Sequence, residues 1–385
     1  MRKPHRALRG RRLAVVTVGC LALLLVIPAV TASSWNSPVA LQPLRAVAVV
    51  LGPNPVQAVV TPNGSQVWVT DALLNTVYVV NSVTLQVEVQ IPLPAAPYGL
   101  AFSPAGSSAW ISARYPNMAI EVSTSNYSVV ATVPIPVNDA YPYMIAVNPG
   151  NGDVWVSDYY HNITIINGTS ATIESELLVL PPGDPGFVTA MAFGPNGQDV
   201  FVGYTAQSDP ADGLVAYNAS TGAVVWSDGV EDGGSFGGIA VSSDGRTLFA
   251  LNDSTPGAEF SFVNAQTGAM FARTPLPAIR IEDFSTPAFT CDSTSVWFAA
   301  SQPGIDGLLV GVSVATEKIV VEATDSDIPG STSLSLTPSG QTAFAVGVDG
   351  AYKPLVAWSP IGAPSGSPLV FAPSGGALSG ECDAP

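Results

Sequence analysis

Carboxylates are the side chains through which this sequence could do chemistry. The chain has 385 residues with 29 Asp and Glu but two histidines, of which only His161 lies after residue 32. Enzymes that use a metal or acid–base catalysis usually gather several histidines or carboxylates around one ligand. Carboxylate oxygens also suit Ca²⁺, so a divalent cation such as Ca²⁺ is the one cofactor that we consider. The weak metal candidates are four aspartates: Asp71, Asp158, Asp253 and Asp283.

No other catalytic set is visible. A Ser-His-Asp triad could be built only on His161, which lies in a loop-like stretch, Tyr159-Tyr160-His161-Asn162, and no glycine-rich phosphate-binding loop is present. We therefore predict no catalytic residues and no organic cofactor, and we do not expect an enzyme.

The first 32 residues are predicted to direct export. Six Lys and Arg lie between residues 2 and 12, an uncharged apolar run covers Leu13 to Val30, and Val30-Thr31-Ala32 offers small residues for a peptidase. The run is long enough to span a bilayer as a helix, so residues 1–32 form either a signal peptide or an uncleaved signal anchor. The basic flank places the rest outside in both cases, secreted or at the cell surface.

The charge of the remaining chain limits its partners. All 29 acids but only 7 of the 13 Lys and Arg lie after residue 32, which leaves that part a net charge of −22. Such a polyanion repels nucleic acid and anionic headgroups. We exclude nucleic acid as a partner and expect membrane contact only through the N-terminal segment.

Two cysteines, Cys291 and Cys382, follow the apolar segment. An isolated pair in an exported chain is a disulfide candidate, with two free thiols as the alternative. A disulfide would tie the C-terminal tail to the body of the fold.

A unit of two apolar runs around a tight turn recurs seven times, at intervals of 42 to 48 residues. Turns such as Pro62-Asn63-Gly64 and Ser243-Asp244-Gly245 carry the strongest hairpin pattern, Asn-Gly or Asp-Gly between apolar strands. One aromatic follows each turn: Trp68, Trp110, Trp155, Phe201, Phe249, Trp297 and Phe344. Each unit then continues with a third strand that ends on Asn or Ser and a fourth, Val-rich strand.

These repeats predict an all-β, seven-bladed β-propeller over residues 33–372, with four antiparallel strands per blade. A four-stranded sheet cannot hide both faces alone, and stacking such sheets in a ring buries them. The seven aromatics are expected between blades. Residues 44–51 are predicted to complete the last blade as its outer strand, with Pro368 to Ala372 as the rival, and residues 373–385 form a C-terminal tail.

The first unit resembles a known repeat. The stretch Gln57 to Asp71, followed by Thr76 to Asn81, is similar to the YVTN-type β-propeller repeat of bacterial and archaeal surface proteins. The resemblance covers roughly residues 45–360 and is most faithful in the first three units, whereas the fifth to seventh depart from it. It implies seven blades and an extracellular or cell-surface role, without one particular activity.

The acids are distributed unevenly between the two faces of such a propeller. Loops joining strands two and three share a face with the loops between blades, and we call this side the acidic loop face. It is predicted to carry sixteen acids against four on the opposite face, Asp153, Asp199, Asp244 and Asp292. The sixteen are Asp71, Asp139, Asp158, Asp184, Asp209, Asp212, Asp228, Glu231, Asp232, Asp253, Glu282, Asp283, Asp306, Asp325, Asp327 and Asp349.

Three functions are compatible with this pattern. The leading hypothesis is an exported, non-catalytic interaction module that binds a protein or cell-surface component through the acidic loop face. The alternative is a hydrolase or lyase that uses carboxylates and a divalent metal at the mouth of the central channel. A third possibility is a self-associating part of a surface layer.

Overall fold

The fold is a closed ring of seven four-stranded antiparallel sheets, as predicted. A computed structural model describes residues 45–136, 141–158, 162–179, 186–205, 212–230, 234–254, 257–276, 279, 281, 285–302, 305–325, 331–347 and 354–359. The predicted N-terminal helix, the rival strand at 368–372 and the tail at 373–385 lie outside these residues. Within them, no helix is long and apolar enough to cross a membrane.

Each blade uses consecutive strands, except for the last. Blade 1 contains β2 (Pro55–Val60), β3 (Gln66–Asp71), β4 (Thr76–Asn81) and β5 (Val87–Pro92), and blade 2 contains β6 (Ala96–Phe102), β7 (Ser108–Arg114), β8 (Met118–Ser123) and β9 (Val129–Pro134). Blade 3 contains β10 (Ile145–Val147), β11 (Val154–Ser157), β12 (Asn162–Asn167) and β13 (Thr172–Leu178), and blade 4 contains β14 (Phe187–Phe193), β15 (Asp199–Thr205), β16 (Asp212–Asn218) and β17 (Val224–Val230). Blade 5 contains β18 (Gly234–Val241), β19 (Thr247–Ser254), β20 (Gly257–Asn264) and β21 (Met270–Pro275), and blade 6 contains β22 (Ala288–Phe289), β23 (Ser295–Gln302), β24 (Ile305–Ser313) and β25 (Lys318–Asp325). Blade 7 contains β26 (Ser331–Leu336), β27 (Ala343–Gly347), β28 (Pro354–Ser359) and β1 (Arg45–Val50).

The first strand of the chain completes the last blade. β1 pairs antiparallel with β28, from Arg45 opposite Ser359 to Val50 opposite Pro354. This is the outer position that the sequence analysis assigned to residues 44–51. The first strands of neighbouring blades contact one another around the whole ring, so they line the axis.

The recurring aromatics fill the space between blades. All seven are at most 3% exposed. Trp68 of blade 1 packs against Leu100 and Ile111 of blade 2, and Phe344 of blade 7 packs against Val69 of blade 1. On the adjacent first strand, each aromatic faces a smaller residue in the pairing register: Val59, Ala101, Ala146, Ala192, Ala240, Ala288 and Ser335. A large side chain beside a small one lets the blades approach closely near the axis.

Buried hydroxyls join neighbouring blades at bulges in the first strands. In blade 2, the Ser112 hydroxyl accepts a hydrogen bond from Gly99 N–H at 2.8 Å and donates to the Tyr143 carbonyl of blade 3 at 2.6 Å. In blade 1, Thr70 likewise accepts from Gln57 N–H at 3.1 Å and donates to the Tyr98 carbonyl of blade 2 at 2.8 Å. Each hydroxyl therefore satisfies backbone groups that the bulge removes from the sheet ladder.

We expect Ser112→Ala to lower the free energy of unfolding by about 1–3 kcal/mol, because it leaves a buried N–H and a partly buried carbonyl without their partner. The measurement is urea unfolding of the full-length chain followed by tryptophan fluorescence. The matched control is Ser123→Ala, whose hydroxyl bonds within its own turn and whose loss should cost under about 0.5 kcal/mol. Equal effects of the two variants would contradict this role for Ser112.

Candidate functional site

Two of the four metal candidates are buried structural residues. Asp71 is 0% exposed, and its carboxylate accepts N–H groups of Leu73 and Leu74 at 3.0 Å each and of Asn54 at 3.3 Å. Asp158 is 1% exposed and accepts Asn162 N–H at 2.9 Å. Both come at the end of a second strand, where the acidic loop face was predicted, but their side chains are buried and do not lie in solvent. Each ends or follows a strand where the backbone turns, and free N–H groups there draw the carboxylate inward.

The charge of Asp71 acts on a tyrosine. Burial and, to a smaller extent, the nearby Asp71 carboxylate raise the pKa of Tyr78 above its usual value. The Asp71 side chain therefore has backbone donors and a phenol around it, and these neighbours already account for its position.

The remaining candidates do not form a described metal centre. Asp253, a metal candidate, lies near the end of β19, and two other acids assigned to the acidic loop face, Asp228 and Asp325, lie near the ends of β17 and β25. In the part of the chain that the structure describes, no three His, Cys, Asp or Glu side chains are grouped to hold a metal ion. Nine acids that were predicted on the acidic loop face lie outside the described residues: Asp139, Asp184, Asp209, Glu231, Asp232, Glu282, Asp283, Asp327 and Asp349.

The aspartates of the opposite face organise its tight turns. Asp244 accepts the Ser242 hydroxyl at 2.6 Å, and Asp292 accepts the Thr290 hydroxyl at 2.7 Å and Thr294 N–H at 3.0 Å. These hydrogen bonds to the charged form hold the pKa of both carboxyls below the usual range. Next to this turn, Cys291 is disulfide-bonded. Its predicted partner, Cys382, lies outside the described residues, so the pairing stays a prediction.

A cavity opens where the first strands meet at the axis. Its free volume is about 20 Å³, which leaves room for about one water molecule. Its lining comes from blades 1, 2, 3, 6 and 7: Val56, Gln57, Tyr98, Gly99, Tyr143, Met144, Ile145, Thr286 and Ser333. Pockets that enclose small molecules are commonly about 300–1,000 Å³, so this cavity is too small to enclose one.

A cluster of one arginine and three tyrosines borders this cavity on the acidic loop face. Arg114 is the last residue of β7, and its guanidinium carbon lies 3.8 Å from the Tyr98 ring centroid, 4.9 Å from that of Tyr143 and 5.4 Å from that of Tyr141. Its Nε donates to the Pro142 carbonyl at 3.2 Å. We call Arg114, Tyr98, Tyr141 and Tyr143 the Arg114 cluster. Tyr98 and Tyr143 belong to both the cluster and the cavity wall.

The sequence analysis missed this cluster because it searched for carboxylates and histidines. The positions of its residues along the repeats could have indicated the cluster. Arg114 ends a second strand, Tyr141 and Tyr143 precede the next first strand, and both connections fall on the same face of a propeller.

Large apolar side chains are exposed near the cluster. Leu73 and Leu74, in the β3–β4 turn, are 68% and 50% exposed, and Tyr115, in the β7–β8 turn, is 70% exposed. Both turns lie on the acidic loop face, in neighbouring blades. We call these three residues the apolar tips. The Tyr115 ring lies 6.3 Å from the Tyr141 ring, which links the apolar tips to the Arg114 cluster.

Known structures share the fold. A Kuenenia stuttgartiensis hydrazine synthase chain superposes with a TM-score of 0.65 at 12% identity, over 77% of this chain and 93% of that chain. The β-propeller domain of Myceliophteria thermophila Cps50 (Swd1) gives a TM-score of 0.64 at 13% identity, over 82% of this chain and 99% of that domain. No family model and no curated protein sequence matches the chain, so the YVTN resemblance stays a prediction. At these identities, the likeness supports the seven-bladed fold alone.

We expect Asp71→Ala to lower the free energy of unfolding by about 1–3 kcal/mol, because it leaves buried N–H groups without an acceptor. Asp71→Asn, which keeps one acceptor oxygen, should lose less. Thermal unfolding of the full-length chain with and without Ca²⁺ measures both effects, and the differences should not depend on Ca²⁺. If Ca²⁺ stabilised the wild-type chain but not Asp71→Ala, Asp71 would be a metal ligand.

Proposed function

We propose that the chain is an exported, non-catalytic β-propeller that binds a protein or cell-surface component through the acidic loop face. The observation that carries the proposal is the exposure of the apolar tips, Leu73, Leu74 and Tyr115, on adjacent turns of one face. Large apolar and aromatic side chains that a fold holds in solvent commonly mark interaction surfaces.

The neighbouring arginine strengthens this interpretation. Tyr and Arg are enriched at the centres of protein interfaces, where they combine apolar area with directed hydrogen bonds. The apolar tips and the Arg114 cluster place both residue types beside each other.

Charge supports the choice of partner. The chain after residue 32 has a net charge of −22, and the loop assignment concentrates its acids on the same face. A partner with basic groups around an apolar centre fits such a face, and long-range attraction would speed its association at low ionic strength.

We do not propose the carboxylate–metal enzyme. Asp71 and Asp158, two of its four candidate ligands, already accept backbone N–H groups. No observation on the described residues favours that chemistry over binding.

Export is tested by fractionation. We expect the full-length chain to be found outside the cytoplasm of an expressing bacterium, and a chain that starts at residue 33 to stay inside, because only the former has the basic and apolar segment. Protease added to intact cells measures the difference. Equal protection of both chains would contradict export.

Partner binding is tested with the loop variants. We expect immobilised wild-type chain to retain a component of the source organism's surface fraction, and Leu73→Asp/Leu74→Asp to reduce its retention at least about tenfold because charge replaces an apolar contact. Retention should fall as NaCl rises, since the acidic face contributes attraction.

The matched control is Val83→Asp. Val83 is 67% exposed in the β4–β5 turn of the same blade, on the opposite face, so this variant makes a similar change at a distance. Equal retention by wild type and both variants would overturn the proposal that the acidic loop face binds the partner.

A further inference from the structure

Six Asn-x-Ser/Thr sequons occur along the blades. This tripeptide is the acceptor for N-linked glycans in secreted proteins, where a sugar is joined to the asparagine side-chain nitrogen. The six asparagines are Asn63, Asn126, Asn162, Asn167, Asn218 and Asn252. They are alike in sequence pattern, but the fold gives them different surroundings.

Two of the sequons present an exposed asparagine with an unengaged nitrogen. Asn63 lies in the β2–β3 turn and Asn126 in the β8–β9 turn, and both residues are exposed. In each sequon the serine two positions later donates its hydroxyl to the asparagine Oδ1 at 2.8 Å, Ser65 to Asn63 and Ser128 to Asn126. Within the described part of the chain, Nδ2 of these two asparagines donates no hydrogen bond. The atom that would receive a sugar is therefore available in both.

The other sequons lack this combination. Asn167 donates its Nδ2 to the Glu174 carboxylate at 2.7 Å. Asn252 is 1% exposed, and its Nδ2 lies 3.4 Å from the Glu259 carboxylate. The remaining two asparagines are half-buried: Asn162 and Asn218. A glycan is bulky and hydrated, so the folded chain has no room for one at Asn252, which serves as an internal control.

The Asn63 turn depends on the side-chain oxygen and not on the nitrogen. Asn63 Oδ1 accepts the Thr61 hydroxyl at 2.8 Å and the Ser65 N–H at 3.0 Å. Asp244 and Asp292 occupy the equivalent position in blades 5 and 6 and accept the equivalent hydrogen bonds through a carboxylate oxygen. An amide that carries a sugar keeps its carbonyl oxygen, so the modification would leave the turn intact.

The two exposed sequons lie close together on the face opposite the acidic loop face. Loops that join strands one and two, or strands three and four, share this opposite face, and Asn63 and Asn126 belong to neighbouring blades 1 and 2. The Gln66 side-chain amide donates to the Tyr127 hydroxyl at 3.0 Å, which joins the strand after the first sequon to the middle residue of the second. Glycans at these positions would leave the apolar tips uncovered.

We propose that Asn63 and Asn126 carry N-linked glycans. The sugar donor is a saccharide that is bound through its anomeric carbon to a lipid diphosphate, and a transferase of the exporting cell catalyses the step. Nδ2 forms a bond to the anomeric carbon and gives up one proton, while the bond from that carbon to the diphosphate oxygen breaks and the lipid diphosphate leaves. This proposal rests on the export proposed above, because sequons are modified in secreted proteins.

The test is peptide mass spectrometry of the full-length chain, expressed in its source organism and recovered from outside the cytoplasm. We expect a saccharide mass on the peptides that contain Asn63 and Asn126, and none on the peptide that contains Asn252. Fractionation of the same culture reports export separately, so a failure of export and an absence of sugar are distinguishable.

Matched variants separate recognition of the sequon from folding. Asn63→Asp keeps the acceptor oxygen that Asp244 supplies in blade 5 but has no amide nitrogen, so the chain should fold and lose the saccharide at this position alone. Ser65→Ala should also lose it, whereas Ser65→Thr keeps the sequon hydroxyl and should retain it. Asn63→Asp/Asn126→Asp should leave retention of the surface partner unchanged, since the apolar tips lie on the other face.

Three results would overturn the proposal. An exported chain without saccharide on either peptide would do so and would leave the proposed partner binding intact. Saccharide that persists at Asn63 in Ser65→Ala, or that is as abundant on Asn252 as on Asn63, would show attachment without regard to the sequon or the fold. A full-length chain that stays in the cytoplasm would overturn both this proposal and the proposed export.

Discussion

The contact between neighbouring blades is the constraint on which the rest of this structure depends. A single four-stranded sheet exposes two apolar faces, and only its neighbours can cover them. Here the cover comes from one large aromatic per blade set beside a small residue of the first strand, as with Trp110 beside Ala101. Near the axis the same contact becomes polar, where Thr70 and Ser112 carry hydrogen bonds from one blade to the next. These contacts between blades determine the positions of the side chains at the mouth of the central channel.

The ring architecture was predictable because its causes are local and repeated. Turn sequences and a following aromatic recur in each unit, and both follow from short-range chemistry. The first strands were harder to see, because a bulge breaks their alternation and β22 retains only Ala288–Phe289. Each first strand pairs with the second strand of its own blade, but its contacts with the first strands of neighbouring blades depend on the closed ring.

The candidate site was predicted less well, for two physical reasons. Strand order places a residue on a face but does not say whether its side chain points to solvent, and Asp71 turned inward to the N–H groups of its own turn. The Arg114 cluster combines Tyr98 and Arg114 of blade 2 with Tyr141 of the connection to blade 3, and these residues are distant in sequence. No short sequence pattern marks such a cluster. The alternation of loops between the two faces of a propeller did, however, assign its members to the same face.

The pairing of β1 with β28 has a consequence for how the protein would be held at a surface. β1 is the outermost strand of its blade, so the chain enters the body at the circumference. A tether running back from Arg45 to a membrane-embedded segment would pull on the rim and not on either end of the central channel. Both ends of the central channel would then stay accessible to molecules in solution. A pulling force on the tether would act on the hydrogen bonds between β1 and β28, the strand pair that closes the ring.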